Sequence, residues 1–276
     1  MNIAVVGLGI IGGSFCKAIK KYTNHYVIGI NRTEATLQKA LSVGAIDEIG
    51  TVQSLEKADL IILCMYPQAD IDFVEKNGSY IKKGAILTDA SGIKSAICPK
   101  LCELSQKFDF VFVGSHPMAG KEKNGFDVSD ADLYQNASYI ITPCGAEQKY
   151  VDILSDFAKS IGFSIIKIST PEEHDRMIAF TSQLPHVLAC SYVLSPSCPN
   201  HKGFSAGSYR DVSRVANINS KLWSELFLEN KEPLVKELDI LIDNITEIIK
   251  AIKAEDKQAL TDLLEKGHKV KEALGE

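Results

Sequence analysis

Asn2-Ile3-Ala4-Val5-Val6 runs directly into Gly7-Leu8-Gly9-Ile10-Ile11-Gly12-Gly13-Ser14, and a helical pattern follows at once. The first five residues predict a β-strand, apolar on both faces from Ile3 onward. A G-x-G-x-x-G spacing between strand and helix is a turn suited to a dinucleotide pyrophosphate. Gly7 permits the tight turn, and Gly9 lets the backbone approach the phosphates. Gly12 lets the helix pack on the strand, while the helix N-terminus, with Ile10 and Ile11, faces the anion. The spacing alone is weak evidence. Its position after a β run, with alternating units downstream, gives it weight.

Outward from this turn, short β-rich runs alternate with helical patterns: Tyr26 to Ile30, Leu60 to Cys64, Ala85 to Thr88, Phe110 to Val113 and Tyr139 to Thr142. A further run, Ser164 to Ile168, is expected to close the same sheet. This alternation predicts a Rossmann-type, doubly wound α/β fold with a mainly parallel sheet. The pattern then changes at Thr170-Pro171-Glu172-Glu173, which reads as N-cap, N1 proline and a capping-box glutamate. From there helical spacing dominates. Residues 1–168 are therefore expected to bind the dinucleotide, and 169–276 to form an all-helical substrate-binding and dimerisation domain. Leu234, Leu238, Leu241, Ile245, Ile248 and Ile252 form one long apolar stripe, for which a homodimer is the expected cover.

A net charge of −5 provides no basic footprint for nucleic acid or anionic lipid, so an anionic substrate must be held by a few placed cations. No apolar run approaches the roughly 20 residues of a membrane span, and no signal peptide is legible. With seven cysteines lacking paired spacing, a reducing, cytoplasmic location is expected. Cys98 and Cys102 lie one helical turn apart, but no second pair or nearby histidine completes a metal site, and none is expected.

The second strand ends in Asn31-Arg32-Thr33, where an NAD enzyme usually places an acid on the ribose hydroxyls. An arginine with short polar neighbours suits a 2′-phosphate, which favours NADP over NAD. Two other strand ends carry chemistry: Thr88-Asp89-Ala90-Ser91-Gly92-Ile93-Lys94 and Gly114-Ser115-His116-Pro117-Met118-Ala119-Gly120. Ligands of open α/β sheets bind beyond such ends, which makes His116 the candidate base beside a nicotinamide. Arg210 and Arg214 are spaced i, i+4 on an expected helix, with Asp211 placed to orient Arg214.

These segments together resemble the prephenate/arogenate dehydrogenases of tyrosine biosynthesis. The resemblance spans the chain: VGLGIIGGS at 6–14, D-x-x-G-x-K at 89–94, SHPMAG at 115–120, EHD at 173–175, LPH at 184–186, and RDVSR at 210–214 followed by Trp223. It implies oxidative decarboxylation of a small dicarboxylate, with His116 as general base and Arg214 holding a carboxylate. Arg210 is a candidate for the second carboxylate, and His186 would line the substrate pocket. His174 and Asp175 fit a structural role at the helix start at least as well as a catalytic one. Some relatives carry serine where Gly92 stands here, so Ser91 is the candidate substitute partner for His116, with a water as the alternative. Prephenate and arogenate stay open as substrates. Rival readings are a pyrroline-5-carboxylate reductase, a 3-hydroxyacid dehydrogenase or a nucleotide sensor without turnover, none of which accounts for SHPMAG together with RDVSR.

Overall fold

The computed structural model describes residues 1–121 and 123–275. It divides into two compact units, Met1–Asn230 and Lys231–Glu276. The first is built on six parallel strands: β1 (Asn2–Val6), β2 (Tyr26–Ile30), β3 (Glu48–Ile49), β4 (Leu60–Leu63), β5 (Ile86–Asp89) and β6 (Val111–Phe112). Their order, β3-β2-β1-β4-β5-β6, reverses between β1 and β4, which is the switch point where doubly wound sheets bind ligands. Helices α1 (Ile10–Tyr22), α2 (Glu34–Ser42), α3 (Pro67–Asn77) and α4 (Cys98–Phe108) connect these strands. Side chains alternate across β1: Ile3 and Val5 enter one core with Phe15 and Ile19, whereas Ala4 and Val6 enter the other with Leu101 and Leu104. Burial on both faces is what makes this strand apolar throughout.

The runs near residues 140 and 166 do not close that sheet. They form a separate three-stranded sheet with β7 (Gly114–Pro117), β8 (Ser138–Thr142) and β9 (Ile165–Ile168), in the order β7-β8-β9. β8 runs antiparallel to β7 and parallel to β9, and α5 (Gln148–Ser160) links β8 to β9. The chain turns out of the parallel sheet at Val113, and side chains tether it there. Ser115 N–H donates to Asp89 Oδ1 (3.1 Å), and Ser115 Oγ donates to the Asp89 carbonyl (2.6 Å). Pro117 is tolerated because β7 is an edge strand.

Helices α6 (Pro171–Ile178), α7 (Leu184–Val193), α8 (Gly207–Ser213) and α9 (Ser220–Glu229) complete this unit. Thr170 Oγ1 caps α6 by accepting from Glu173 N–H (3.2 Å). The reciprocal half of the box is diverted: Glu173 Oε2 accepts from Ser169 Oγ (3.1 Å). Between α6 and α7, Ala179–Gln183 forms a π-helical turn closed by Leu184 N–H on the Ala179 carbonyl. Pro185, which has no N–H, removes the next α-helical bond, and the wider turn absorbs that break.

The second unit consists of α10 (Lys231–Lys253) and α11 (Lys257–Ala273), the latter capped by Asp256 accepting from Ala259 N–H (2.9 Å). Within the single chain, α10 leaves Ile240, Ile242, Ile245, Ile249 and Ile252 exposed.

Candidate active site

Gly7 adopts φ +92°, and its N–H reaches the Ile30 carbonyl (2.9 Å). A Cβ on Gly12 would lie 2.0 Å from the Gly7 carbonyl oxygen, so only glycine lets α1 start this close to the turn. Gly9 has no protein atom within 4 Å of its would-be Cβ and lines a cavity of about 760 Å³. That combination, a backbone open to the cavity at a helix start, fits a dinucleotide pyrophosphate. Ile10 and Ile11 line the same cavity. Asn31 is engaged with the turn itself: Oδ1 accepts from Leu8 N–H (3.1 Å), and Nδ2 donates to the Thr33 carbonyl (3.3 Å). Arg32 is exposed, and Thr33 begins α2 as its N-cap residue.

Opposite the glycine turn stands His116 on β7. Its Nδ1 is 2.9 Å from His174 Nε2, and His174 Nδ1 is 2.6 Å from Asp175 Oδ1. Asp175 is buried and also accepts from the backbone N–H of Lys94 (2.8 Å) and Ser95 (2.7 Å). Burial raises its carboxyl, but the His174 bond and these two amides outweigh it and hold the pKa below the usual range. The carboxylate therefore fixes both tautomers. It takes the Nδ1–H of His174, so Nε2 of that ring must accept from Nδ1–H of His116. The remaining nitrogen of His116, Nε2, carries the lone pair. Burial, then His174, then Lys94 push the His116 pKa well below the ordinary 6.5. Burial likewise outweighs the pull of Asp175 and lowers His174.

Behind this chain, the fully buried Lys94 ammonium pairs with Asp89 and donates to the Ser91 carbonyl (2.7 Å). A pair this deep contributes little net stability, but it holds the 89–94 loop in one arrangement. Ser91 Oγ donates to Asp70 Oδ2 (3.2 Å), whose carboxyl is pushed up to about 8 by burial and by Asp89. Ser91 thus does not take the place of a serine on His116. A Cβ on Gly92 would lie 3.9 Å from His116 Cε1, so residue 92 borders the ring, and His174 occupies its Nδ1.

The helical side of the cavity brings His186, Arg214 and Trp223 together. His186 Nδ1 donates to the Ser182 carbonyl (2.8 Å), and its ring stacks on Trp223 at 3.7 Å. Asn230 Nδ2 ties Gln183 Oε1 (2.7 Å) to the Asp175 carbonyl (2.9 Å), locking α6, the π turn and α9 into one support. Asn219 Nδ2 donates to Tyr66 OH (3.0 Å), joining this side to the loop after β4. Arg210 and Asp211 are exposed on α8 and do not line the cavity. The sequence reading did not assemble the His116–His174–Asp175 chain, although the EHD triplet directly after a capped helix start was its visible trace.

A dinucleotide turn at the switch point of a doubly wound sheet, facing a neutral imidazole, defines a nicotinamide-dependent oxidoreductase. Residues 15–167 match the family model for the nucleotide-binding domain of prephenate dehydrogenase, and residues 170–266 match that for its dimerization domain. The chain belongs to the prephenate dehydrogenase family. A prephenate dehydrogenase of Lactococcus lactis is 30% identical over 99% of this chain and 77% of its own length. Among solved structures, arogenate dehydrogenase from Synechocystis superposes with a TM-score of 0.85 at 28% identity, covering 99% of this chain and 100% of that one. Prephenate dehydrogenase from A. aeolicus, solved with hydroxyphenyl propionate and NAD+, gives 0.87 at 26% identity over 100% and 98%.

Proposed function

We propose that this chain carries out NAD(P)-dependent oxidative decarboxylation of prephenate to 4-hydroxyphenylpyruvate. The observation that carries the proposal is the tautomer chain, which leaves His116 Nε2 as a basic atom at the cavity wall. The bound dinucleotide supplies the hydride acceptor. His116 Nε2 accepts the ring-hydroxyl proton as the carbon beneath becomes a carbonyl, and the resulting imidazolium passes part of its charge through His174 to Asp175. Loss of carbon dioxide then aromatises the ring. Gly7, Gly9, Ile10, Ile11 and Gly12 hold the pyrophosphate. Residues 1–168 form the dinucleotide half of this machine, and 169–276 the substrate and dimer half.

Arg214, at the cavity, anchors a substrate carboxylate beside His186. Arg214→Ala is expected to raise KM for the dicarboxylate about 10- to 100-fold, the worth of one charge-assisted contact, with kcat less affected. An unchanged KM would transfer the role to another cation, Arg210 first.

NADP is the favoured cofactor. Asn31 is occupied by the turn, no acid stands at the end of β2, and Arg32 is exposed there to meet a 2′-phosphate. Steady-state kinetics at 340 nm with prephenate and arogenate, each with NAD and NADP, tests both choices. The expected best pair is prephenate with NADP, and Arg32→Ala should weaken NADP while sparing NAD. The arogenate reading has support from the Synechocystis relative, and a higher kcat/KM for arogenate would establish it. Absence of turnover with every pair would overturn the enzyme reading.

We also propose a homodimer through the helical half. The exposed isoleucines of α10 and the match to a dimerization domain support it. Light scattering should give about twice the 30.2 kDa chain mass, and a monomer at micromolar concentration would contradict it. Among the described residues no helix is long and apolar enough to cross a membrane. The seven cysteines without paired spacing support a cytoplasmic location.

A further inference from the structure

Away from the cavity, three thiols that the proposed chemistry does not use converge behind β7. Cys98 and Cys102, one turn apart, share a face of α4 within the second core, and Cys144 packs against that core from the loop after β8. Cys102 Sγ donates to the Cys144 carbonyl at 3.8 Å. Cys144 adopts φ +53°. The other described non-glycine residues with positive φ are Asp109, Asn136 and Glu255; Asp and Asn enter this region readily, whereas a cysteine there is uncommon. A backbone outlier held beside two further thiols is a reason to ask what the residue does. Among the described residues, no group of three or more His, Cys, Asp or Glu is arranged to hold a metal ion. Cys98 is buried, whereas Cys102 and Cys144 are half-buried, within reach of a small oxidant. The neighbouring Cys102 and Cys98 thiols outweigh burial and hold the Cys144 thiol below its ordinary range, which favours the thiolate, the form that reacts with peroxides.

We propose that Cys144 is an oxidative modification site whose sulfenic acid is resolved by Cys102. The Cys144 thiolate attacks a hydroperoxide: an S–O bond forms, the O–O bond breaks, and hydroxide or alkoxide leaves. Cys102 Sγ then attacks the Cys144 sulfur: the S–S bond forms, the S–O bond breaks, and the oxygen departs as water with the Cys102 proton. The two thiols lose two electrons, which reduce the peroxide. The product bridges α4 to the loop between β8 and α5, and a dithiol reverses it.

The test treats the full-length protein with stoichiometric hydrogen peroxide, followed by alkylation, thiol titration and peptide mapping. Two of the seven thiols should be lost and then recovered with dithiothreitol, and the linked peptide pair should contain Cys102 and Cys144. Cys102→Ser should leave a dimedone-reactive sulfenic acid on Cys144 and no bridge. An undiminished thiol count, a bridge to Cys98, or first oxidation at another cysteine in the wild-type protein would each overturn the proposal. The wild-type map decides the matter even if a variant fails to fold.

Discussion

Replacing His116 with asparagine is expected to lower kcat by about 10²–10⁴ and to leave dinucleotide affinity unchanged, the range for loss of a positioned general base. Asparagine is the informative choice because its amide can still donate to His174 Nε2 and keep the hydrogen-bond chain intact. What it removes is the basic Nε2, because an amide oxygen accepts hydrogen bonds but does not take up a proton. The glycine turn that holds the pyrophosphate lies on β1 and α1, so binding should not follow the loss of kcat. The wild-type pH profile adds a second check. The base works only when neutral, and burial, His174 and Lys94 favour the neutral form. The acid limb of kcat/KM should therefore fall below pH 6.5, not at it, and should vanish in the variant. Stability follows the same sign. Below 6.5 the unfolded chain takes up protons at residues 116 and 174 that the folded chain refuses, so stability declines as pH drops through that window. A variant with near-normal kcat would remove His116 from the mechanism.

Asp175→Asn should cost nearly as much, although residue 175 touches neither substrate nor cofactor. The carboxylate accepts three hydrogen bonds, from His174 Nδ1 and from the backbone N–H of Lys94 and Ser95. An amide has one oxygen to offer. If that oxygen takes the place of Oδ2 it keeps the Ser95 N–H, and the NH₂ faces the Lys94 N–H, which loses its acceptor, and His174 Nδ1, which must then accept. His174 carries its proton on Nε2 instead and presents it to His116 Nδ1. Nδ1 of His116 becomes the acceptor, and the proton moves to Nε2, where the base is needed. The expected fall in kcat is about 10²–10⁴. The comparable exchange in a Ser-His-Asp triad, which also imposes the wrong tautomer, costs about 10⁴. If the amide turns the other way, its oxygen keeps His174 Nδ1 and Lys94, the tautomers stay as they were, and the Ser95 N–H is the donor left unpaired; either way the loss is about 1–3 kcal/mol of stability. The fall in kcat separates the two orientations, and thermal unfolding and dinucleotide binding measured alongside show that the fold is kept. A stable variant with near-normal kcat would show that the tautomer chain does not govern His116.

What could be read without coordinates was whatever is local along the chain. The strand and glycine turn at residues 2–14 announce themselves through residue type and spacing, and Thr170-Pro171 marks its helix start by the same means. The second sheet was not legible. A β-rich run such as Ile165–Ile168 looks the same whether it extends one sheet or pairs within another, because partners are chosen by non-local contacts. The link from His116 to His174 spans 58 positions and depends on how α6 docks, which no periodicity records. Arg210 and Arg214 were placed on one face by assuming a continuous α-helix. Arg214 does follow Arg210 by one α turn, its N–H bonding to the Arg210 carbonyl, yet only Arg214 lines the cavity, because how α8 docks is not recorded in the spacing.

The π turn at Ala179–Gln183 makes the substrate side of the cavity a matter of counting. Ile178, Ser182 and His186 all line the cavity although they are separated by two steps of four. On an unbroken α-helix of 3.6 residues per turn each such step overshoots by about 40°, and the third residue would stand about 80° from the first. The wider turn cancels that drift and brings the three into phase. Substituting any one of them alters one contact. Deleting a single position within Ala179–Gln183 would turn the wide closure into an ordinary α turn and leave seven steps from Ile178 to His186, about 20° from the same face, so His186 is expected to stay on Trp223. The turn thus stores one surplus residue, which α7 carries without losing its place at the cavity.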